Sequence, residues 1–178
     1  MDAYRVDVES ILEVLAASIV VSDDIAIDSL EVGAETFKPR GPAHLDVTIT
    51  NAGTAVVVMG RVTLPVLATC ARCLCEFPSQ IEAEVDGFFV VPGKEEGVPE
   101  EQEIQYIDAE NRIDLLPSVL SALVLEAPFA PLHDEDCAGI CPTCGADLNE
   151  GPCGCEPRSG VAHPFAGLGD LLEDPGER

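Results

Sequence analysis

Five of the chain's eight cysteines fall in nineteen residues, from Cys137 to Cys155, as C-x3-C-P-T-C-G-x7-C-G-C. Thiolates at this density point to metal ligation before a disulfide framework, because staples of that kind belong to small secreted chains. The centre of the run, Cys141-Pro142-Thr143-Cys144-Gly145, has the form of a knuckle in which two sulfurs face one point. Glycine after the second cysteine permits positive φ, and backbone N–H groups can then turn toward the sulfurs. Cys153 and Cys155 supply two further thiolates, which completes a tetrahedral set with Cys141 and Cys144. Zinc suits four sulfurs, being soft enough for thiolate and without angular preference of its own.

A second C-x2-C pair, Cys70 and Cys73, lies well upstream, and His133 and Cys137 form an H-x3-C pair after it. Together these four predict a site of three thiolates and one imidazole that closes a loop of about sixty residues, a structural zinc worth on the order of 10 kcal/mol to the segment it ties down. Cys137 could instead displace one of the C-x-C pair in the downstream site, and spacing alone leaves both arrangements open. Cys75 has no role in either set. His44 and His163 read as surface residues.

The strand pattern explains where the upstream pair sits. Leu45, Val47 and Ile49 alternate with polar residues, as do Ile81, Ala83 and Val85, and between them Val62, Leu64 and Val66 alternate with Arg61, Thr63, Pro65 and Leu67. This is the period of half-buried antiparallel strands, with a hairpin connection at Asn51-Ala52-Gly53. Cys70 and Cys73 therefore fall in the turn of a long hairpin. Pro65 predicts an edge or a bulge. Further strand is expected over 25–32, and Lys38 to Pro42 reads as a turn. Val8, Ile11, Leu12 and Leu15 predict an amphipathic helix over 8–17. Apolar residues on two faces predict a buried helix over 113–127, with Asp114 as its N-cap and Pro117 in its first turn. Between hairpin and helix, residues 92–103 read as an acidic solvated loop. The fold class expected is α+β: an antiparallel sheet, one buried helix and a small Cys-rich zinc module. The division expected is 1–131 for the α+β domain, 132–157 for the zinc-knuckle module and 158–178 for a tail.

Charge narrows the function. With 33 acidic and 9 basic residues the formal net charge is −24, and a zinc ion held by four thiolates adds a further −2. Such a chain does not grip nucleic acid through phosphates unaided, since that needs clustered Lys and Arg. It favours basic partners. The N-terminus, Met1 to Glu9, has no basic leader segment, and the apolar stretch 14–21 is too short to span a bilayer, so a cytoplasmic protein with no membrane association is expected. No HExxH, G-x-S-x-G or P-loop is present, and a non-enzymatic protein is expected. A thiol oxidoreductase using Cys70 and Cys73 is the rival reading, although a redox C-x2-C normally opens a helix and this one follows a strand. A zinc-dependent regulatory module is a third, opposed by the negative charge.

Several phrases occur in a telling order: Cys70-Ala71-Arg72-Cys73-Leu74, Ile113-Asp114-Leu115-Leu116, Ala127-Pro128, Asp136-Cys137-Ala138-Gly139-Ile140-Cys141-Pro142-Thr143-Cys144-Gly145, Leu148-Asn149, and Pro164-Phe165-Ala166 with Leu168. In this the chain resembles the bacterial large ribosomal RNA subunit accumulation proteins (YceD-like). The resemblance runs from the hairpin to the C-terminus and leaves the N-terminal third uncovered. It implies a role in accumulation of large-subunit ribosomal RNA, with a basic ribosomal protein or a large-subunit precursor particle as partner and no catalytic residues. His133 stands where relatives can have Cys, an exchange a zinc site tolerates.

Overall fold

A computed structural model describes residues 3–33, 35–93, 95 and 103–155. In chain order these form β1 (Arg5–Asp7), α1 (Glu9–Leu12), β2 (Ser18–Ile25), β3 (Leu30–Val32), β4 (Glu35–Pro39), β5 (Ala43–Asn51), β6 (Val56–Thr69), β7 (Glu76–Val90), β8 (Ile104–Tyr106), β9 (Arg112–Asp114) and α2 (Leu116–Glu126). The architecture is mostly antiparallel sheet with little helix. β2, β5, β6 and β7 are successive antiparallel neighbours, β4 joins β6 past the end of β5, and β3 pairs with β4. β8 lies parallel to the last residues of β7, and β1 pairs with β9 in a separate two-stranded ribbon. Among the described residues no helix is long and apolar enough to cross a membrane.

Alternation puts one face of each long strand inside. Leu45, Val47 and Ile49 of β5, Val58, Val62, Leu64 and Val66 of β6, and Ile81, Ala83 and Val85 of β7 are buried with Val119 and Leu123 of α2. Each such side chain contributes roughly 1.5–3 kcal/mol through the apolar area it removes from water. The intervening residues of β7, Glu82, Glu84 and Asp86, face solvent.

Several local expectations are corrected. The first helix is one turn rather than ten residues: Val8 and Ile11 are buried, but Leu15 is exposed and Ala16 turns to φ 61°. Asn51 takes over there, its Nδ2 donating to the carbonyls of Ile11, Leu12 and Val14 at 2.8, 3.0 and 3.2 Å. The first two are carbonyls the expected helix over 8–17 would have bonded internally. Strand begins at Ser18 rather than after Asp24 and is interrupted at 26–29. Of the expected turn at 38–42, Lys38 and Pro39 belong to β4.

Pro65 is neither on an edge nor in a bulge. It pairs with Gln80 of β7 in a central strand. On its other side β5 ends opposite Thr63 and β4 begins opposite Val66. The missing N–H falls in the gap between two neighbours, and the Pro65 carbonyl accepts from Arg40 N–H at 2.9 Å.

The expected helix over 113–127 divides. Its first residues pair as β9, and α2 starts at Leu116. The N-cap is Leu115, without a side-chain cap, rather than Asp114, whose Oδ1 accepts the Leu116 N–H at 3.1 Å and the Tyr4 N–H at 3.0 Å. α2 is apolar on more than one face, but only one is covered: Val124 and Leu125 are exposed. The acidic segment 92–103 lies mostly outside the described residues, and the expected tail 158–178 lies wholly outside them.

Gly60 marks a close backbone approach in the sheet. A Cβ there would run into Asp46 O and come within 2.6 Å of Val47 Cα. Both belong to the backbone of the paired strand, so neither can rotate away. Gly60→Ala is expected to lose on the order of 2–4 kcal/mol in urea unfolding. A variant as stable as the parent chain would show that β5 and β6 do not lie this close.

Candidate metal centres

The β6–β7 hairpin carries Cys70 and Cys73 to its tip, and the tip is folded as a knuckle. Cys70 N–H donates to Cys75 O at 2.8 Å, Leu74 N–H donates to Cys70 O at 2.9 Å, and Leu74 has φ 62°. The downstream knuckle repeats these bonds position for position. Cys141 N–H donates to Ala146 O at 2.8 Å, Gly145 N–H to Cys141 O at 2.8 Å, and Gly145 has φ 75°. Leu74 thus occupies a left-handed position that the second knuckle gives to glycine.

The chain after α2 returns to the first knuckle and grips it. Ala71 N–H donates to Pro131 O, Ile140 N–H to Arg72 O, and Arg72 Nη1 to the carbonyls of Glu135 and Cys137 at 2.9 and 3.0 Å. Asn149 holds Ala138 N–H with its Oδ1 at 2.7 Å and donates to Cys137 Sγ from its Nδ2 at 3.5 Å. Phe77 stands edge-on to the His133 ring, centroids 6.3 Å apart.

These contacts bring Cys70, Cys73, His133 and Cys137 together, with donor atoms all within 4.8 Å of one another. Cys141, Cys144, Cys153 and Cys155 form a second group within the same limit. Cys137 lies in the first group, so it does not displace either member of the C-x-C pair. Both clusters could hold a metal ion. A tetrahedral ion about 2.3 Å from each sulfur sets sulfurs about 3.8 Å apart, and sulfur about 3.6 Å from an imidazole nitrogen. Cys70 and Cys137 Sγ are 3.8 Å apart, and Cys73 Sγ is 3.4 Å from His133 Nδ1. Cys75 Sγ, 3.1 Å from Cys73 Sγ, is too near for a second corner of the same tetrahedron. The two groups differ in cover. Cys70, Cys73 and Cys137 are buried and only His133 is exposed, whereas in the second group only Cys141 is buried and Cys144 and Cys155 are open to solvent.

The knuckle geometry also charges its leading sulfurs. Burial by itself pushes the Cys70 thiol up, but hydrogen bonds from His133 and from the backbone N–H groups of Cys73, His133 and Arg72 outweigh it and bring its pKa to about 5. At Cys141 the Cys144 and Thr143 N–H groups lead, with Thr143 N 3.4 Å from the sulfur, and the pKa falls to about 6. Cys155 moves the other way, to about 12, as hydrogen-bonding thiols at Cys144 and Cys153 hold its proton.

Cys spacing leads to the ligand groups but misses Arg72, Phe77 and Asn149, which hold them. Their signal is weak, since Arg72 and Phe77 are ordinary residues within two positions of a cysteine and Asn149 belongs to the Leu148-Asn149 phrase. Of the remaining histidines, His44 is half-exposed between Asp24 at 2.8 Å and Asp46 at 3.1 Å. The Asp24 hydrogen bond, then the Asp46 charge, raise its pKa. His163 lies outside the described residues.

A family model described as large ribosomal RNA subunit accumulation protein YceD matches residues 58–172, a span that holds both clusters. An uncharacterized protein of Mycobacterium leprae is 32% identical over 107 residues, 60% of this chain and 49% of that protein. An uncharacterized protein of Mycobacterium tuberculosis is 32% identical over 109 residues, 61% of this chain and 52% of its own length. The chain thus spans about half the length of the curated relatives it matches. No solved structure matches it.

Two outcomes follow from the knuckles. Leu74→Gly removes a left-handed non-glycine residue that costs about 1–2 kcal/mol, partly offset by glycine's unfolded-state entropy, so thermal stability should rise slightly. A fall would mean that the exposed Leu74 side chain does more than fill a turn. In the metal-free chain, Cys70 and Cys141 should remain thiolates at neutral pH. Ultraviolet thiolate absorbance should then fall as pH is lowered through about 6 and about 5. Because both folded pKa values lie below the ordinary 9.0, the stability they contribute is fully present above that value and is lost as pH falls toward the folded values. Absorbance that vanishes already at pH 8 would contradict the knuckle hydrogen bonds.

Proposed function

The chain belongs to the large ribosomal RNA subunit accumulation protein family, and from that premise we propose that it is a non-enzymatic factor in large ribosomal subunit biogenesis. It works in the cytoplasm, holds two structural zinc ions and presents an acidic surface to a basic protein partner or a precursor particle. The observation that carries this reading is the family match across both ligand groups. The net charge of −24 supports a basic protein partner over direct contact with RNA phosphates.

In this reading Cys70, Cys73, His133 and Cys137 bind one zinc ion and Cys141, Cys144, Cys153 and Cys155 the other. Zinc would supply no reaction step. Its thiolate and imidazole bonds would clamp the hairpin tip to the segment after α2 and hold the small module over 132–157 as a unit. The four ligands of the first site come from two places about sixty residues apart, so this ion would stabilise the whole domain. The second would act within its module.

One observation favours thiol chemistry, the low pKa of Cys70 beside Cys73. Against it, Cys70 is fully buried at a hairpin tip rather than exposed at a helix N-terminus.

Metal analysis of the purified chain should give two zinc ions. Cys141→Ser should lose one and expose 141–155 to protease while the sheet stays folded. Cys70→Ser should lose the other and loosen both the hairpin tip and 131–140. Wild-type chain should co-sediment with precursor large subunits, more weakly as salt rises, since screening shortens the reach of exposed charge to about 8 Å at physiological ionic strength. Unchanged zinc in Cys141→Ser sinks the ligand assignment. A folded Cys70→Ser chain that loses thiol-exchange activity while ribosomal particles mature normally would replace the ribosomal reading with redox chemistry.

A further inference from the structure

β7 is paired on one side from Glu76 to Phe89 by β6, but on the other side β8 covers only Phe88 to Val90. Among the described residues nothing pairs with that outer edge over Ile81–Gly87. Unpaired strand edges present a row of N–H and C=O groups that template a further strand. Here the edge lies beside α2, and the space between them is open. A depression of about 390 Å³ runs between Glu84, Asp86 and Gly87 of β7 and Pro117, Ser121 and Leu125 of α2, with Glu103 and Gln105 at its end. A second of about 390 Å³ continues past Glu84 to Glu82, Arg61 and Glu126. Gln105 Nε2 donates to Ser118 Oγ at 2.8 Å, which fixes β8 to α2 and holds the end of the channel.

The walls are acidic and partly apolar. Glu82, Glu84, Asp86, Glu103 and Glu126 line them, and Arg61, paired opposite Glu84, is the one basic residue among the described lining residues. Leu125 is 78% exposed and Phe129, just past the helix, 85% exposed. Of these two large apolar side chains, Leu125 lines the channel among the carboxylates. Charge on an edge strand blocks pairing with a second copy, since like charges would then face each other. The same charges admit a strand of opposite sign.

We propose that this edge is the partner-binding surface, and that its occupant is an extended Lys/Arg-rich protein segment that adds to β7 as a strand, in line with β8 and under α2. Backbone hydrogen bonds to β7 supply affinity, basic side chains meet Glu84, Asp86 and Glu103, and an apolar residue rests on Leu125. This rests on the ribosomal reading for the partner's basic character and adds to it the place and mode of binding.

The test uses the full zinc-loaded chain and a fluorescent peptide of alternating Val and Lys, with binding read by anisotropy. Three comparisons are needed: the same peptide N-methylated at alternate residues, and the Glu84→Lys/Asp86→Lys and Leu125→Ser chains, each checked for unchanged zinc content and melting. The N-methylated peptide keeps every charge but cannot form the ladder. It should bind at least tenfold more weakly, as should the double variant to the parent peptide, and Leu125→Ser should lose several-fold. Equal binding of methylated and parent peptides would leave attraction by charge alone and overturn strand addition. A concentration-dependent dimer of the chain that excludes the peptide would assign the edge to a second copy and overturn the proposal as well. Co-sedimentation with precursor large subunits separates this from the reading beneath it. If the double variant loses the peptide but still joins the particles, the inference fails and the ribosomal reading stands. If the wild-type chain binds the peptide by strand pairing but never joins the particles, the edge stands and the ribosomal reading fails.

Discussion

Fourteen consecutive cross-strand pairs, from Val56 with Phe89 to Thr69 with Glu76, join β6 to β7, and nearly every other feature hangs from that ladder. At about 3.4 Å per residue it is about 45 Å long, and it spans the core and continues beyond it. One end meets α2 and β8. The other ends at the Cys70 knuckle, past the last contact with β4 at Leu67. A hairpin tip that far out has little core of its own. The small cluster around it consists of Cys70, Cys73 and Cys137 with Cys75, Phe77, Leu132 and Ile140 at its margin. Burial of so few side chains is a weak hold on a long lever. The hydrogen bonds from Arg72 to the carbonyls of Glu135 and Cys137 hold the segment after α2 on it.

The repeated knuckle shows how much of a metal centre is backbone. In both copies the first cysteine's amide bonds five residues ahead, its carbonyl accepts four residues ahead, and the residue at that fourth position is left-handed. That geometry turns N–H groups toward the leading sulfur; they are the main reason Cys141 ionises easily, and at Cys70 they add to the hydrogen bond from His133, although both sulfurs are buried. Burial opposes ionisation at both, and local dipoles override it. The two centres then part company. The first draws on strands and a distant segment, so it reports on the tertiary fold. The second draws only on 141–155 and is local.

The strands, the hairpin and the grouping of sulfurs were legible because each rests on a short pattern: alternation for β5, β6 and β7, and C-x2-C for the knuckles. That Cys137 faces Cys70 rather than Cys153 was not legible. It depends on where α2 delivers the chain, and spacing carries no such information. Pro65 misled for a related reason. An edge was inferred from one missing donor, but a central strand can also tolerate proline where one neighbour ends and another begins. The short first helix failed against tertiary context, since Asn51, forty residues away from Ile11, closes the turn that helical periodicity would have extended. The β7 edge left no sequence signal at all: its Glu82, Glu84 and Asp86 read as the polar half of an alternating strand, and only the pairing shows that nothing described lies alongside.

Charge connects the centres to that edge. A divalent ion held by three thiolates and an imidazole carries a net −1, and one held by four thiolates −2. Filling both therefore leaves the protein strongly acidic and keeps the hairpin tip and the module from attracting anions. On the proposed ribosomal reading, that acidity is a device of selection. The net charge of −24 disfavours bare RNA and favours a basic protein segment. Long-range attraction has no geometry of its own and cannot tell one basic chain from another. A ladder of backbone hydrogen bonds beside an exposed Leu125 can, because it accepts only an extended segment of matching alternation. The two effects act at different distances, the first in bringing a partner near and the second in holding it, and in this molecule they coincide on one side of β7.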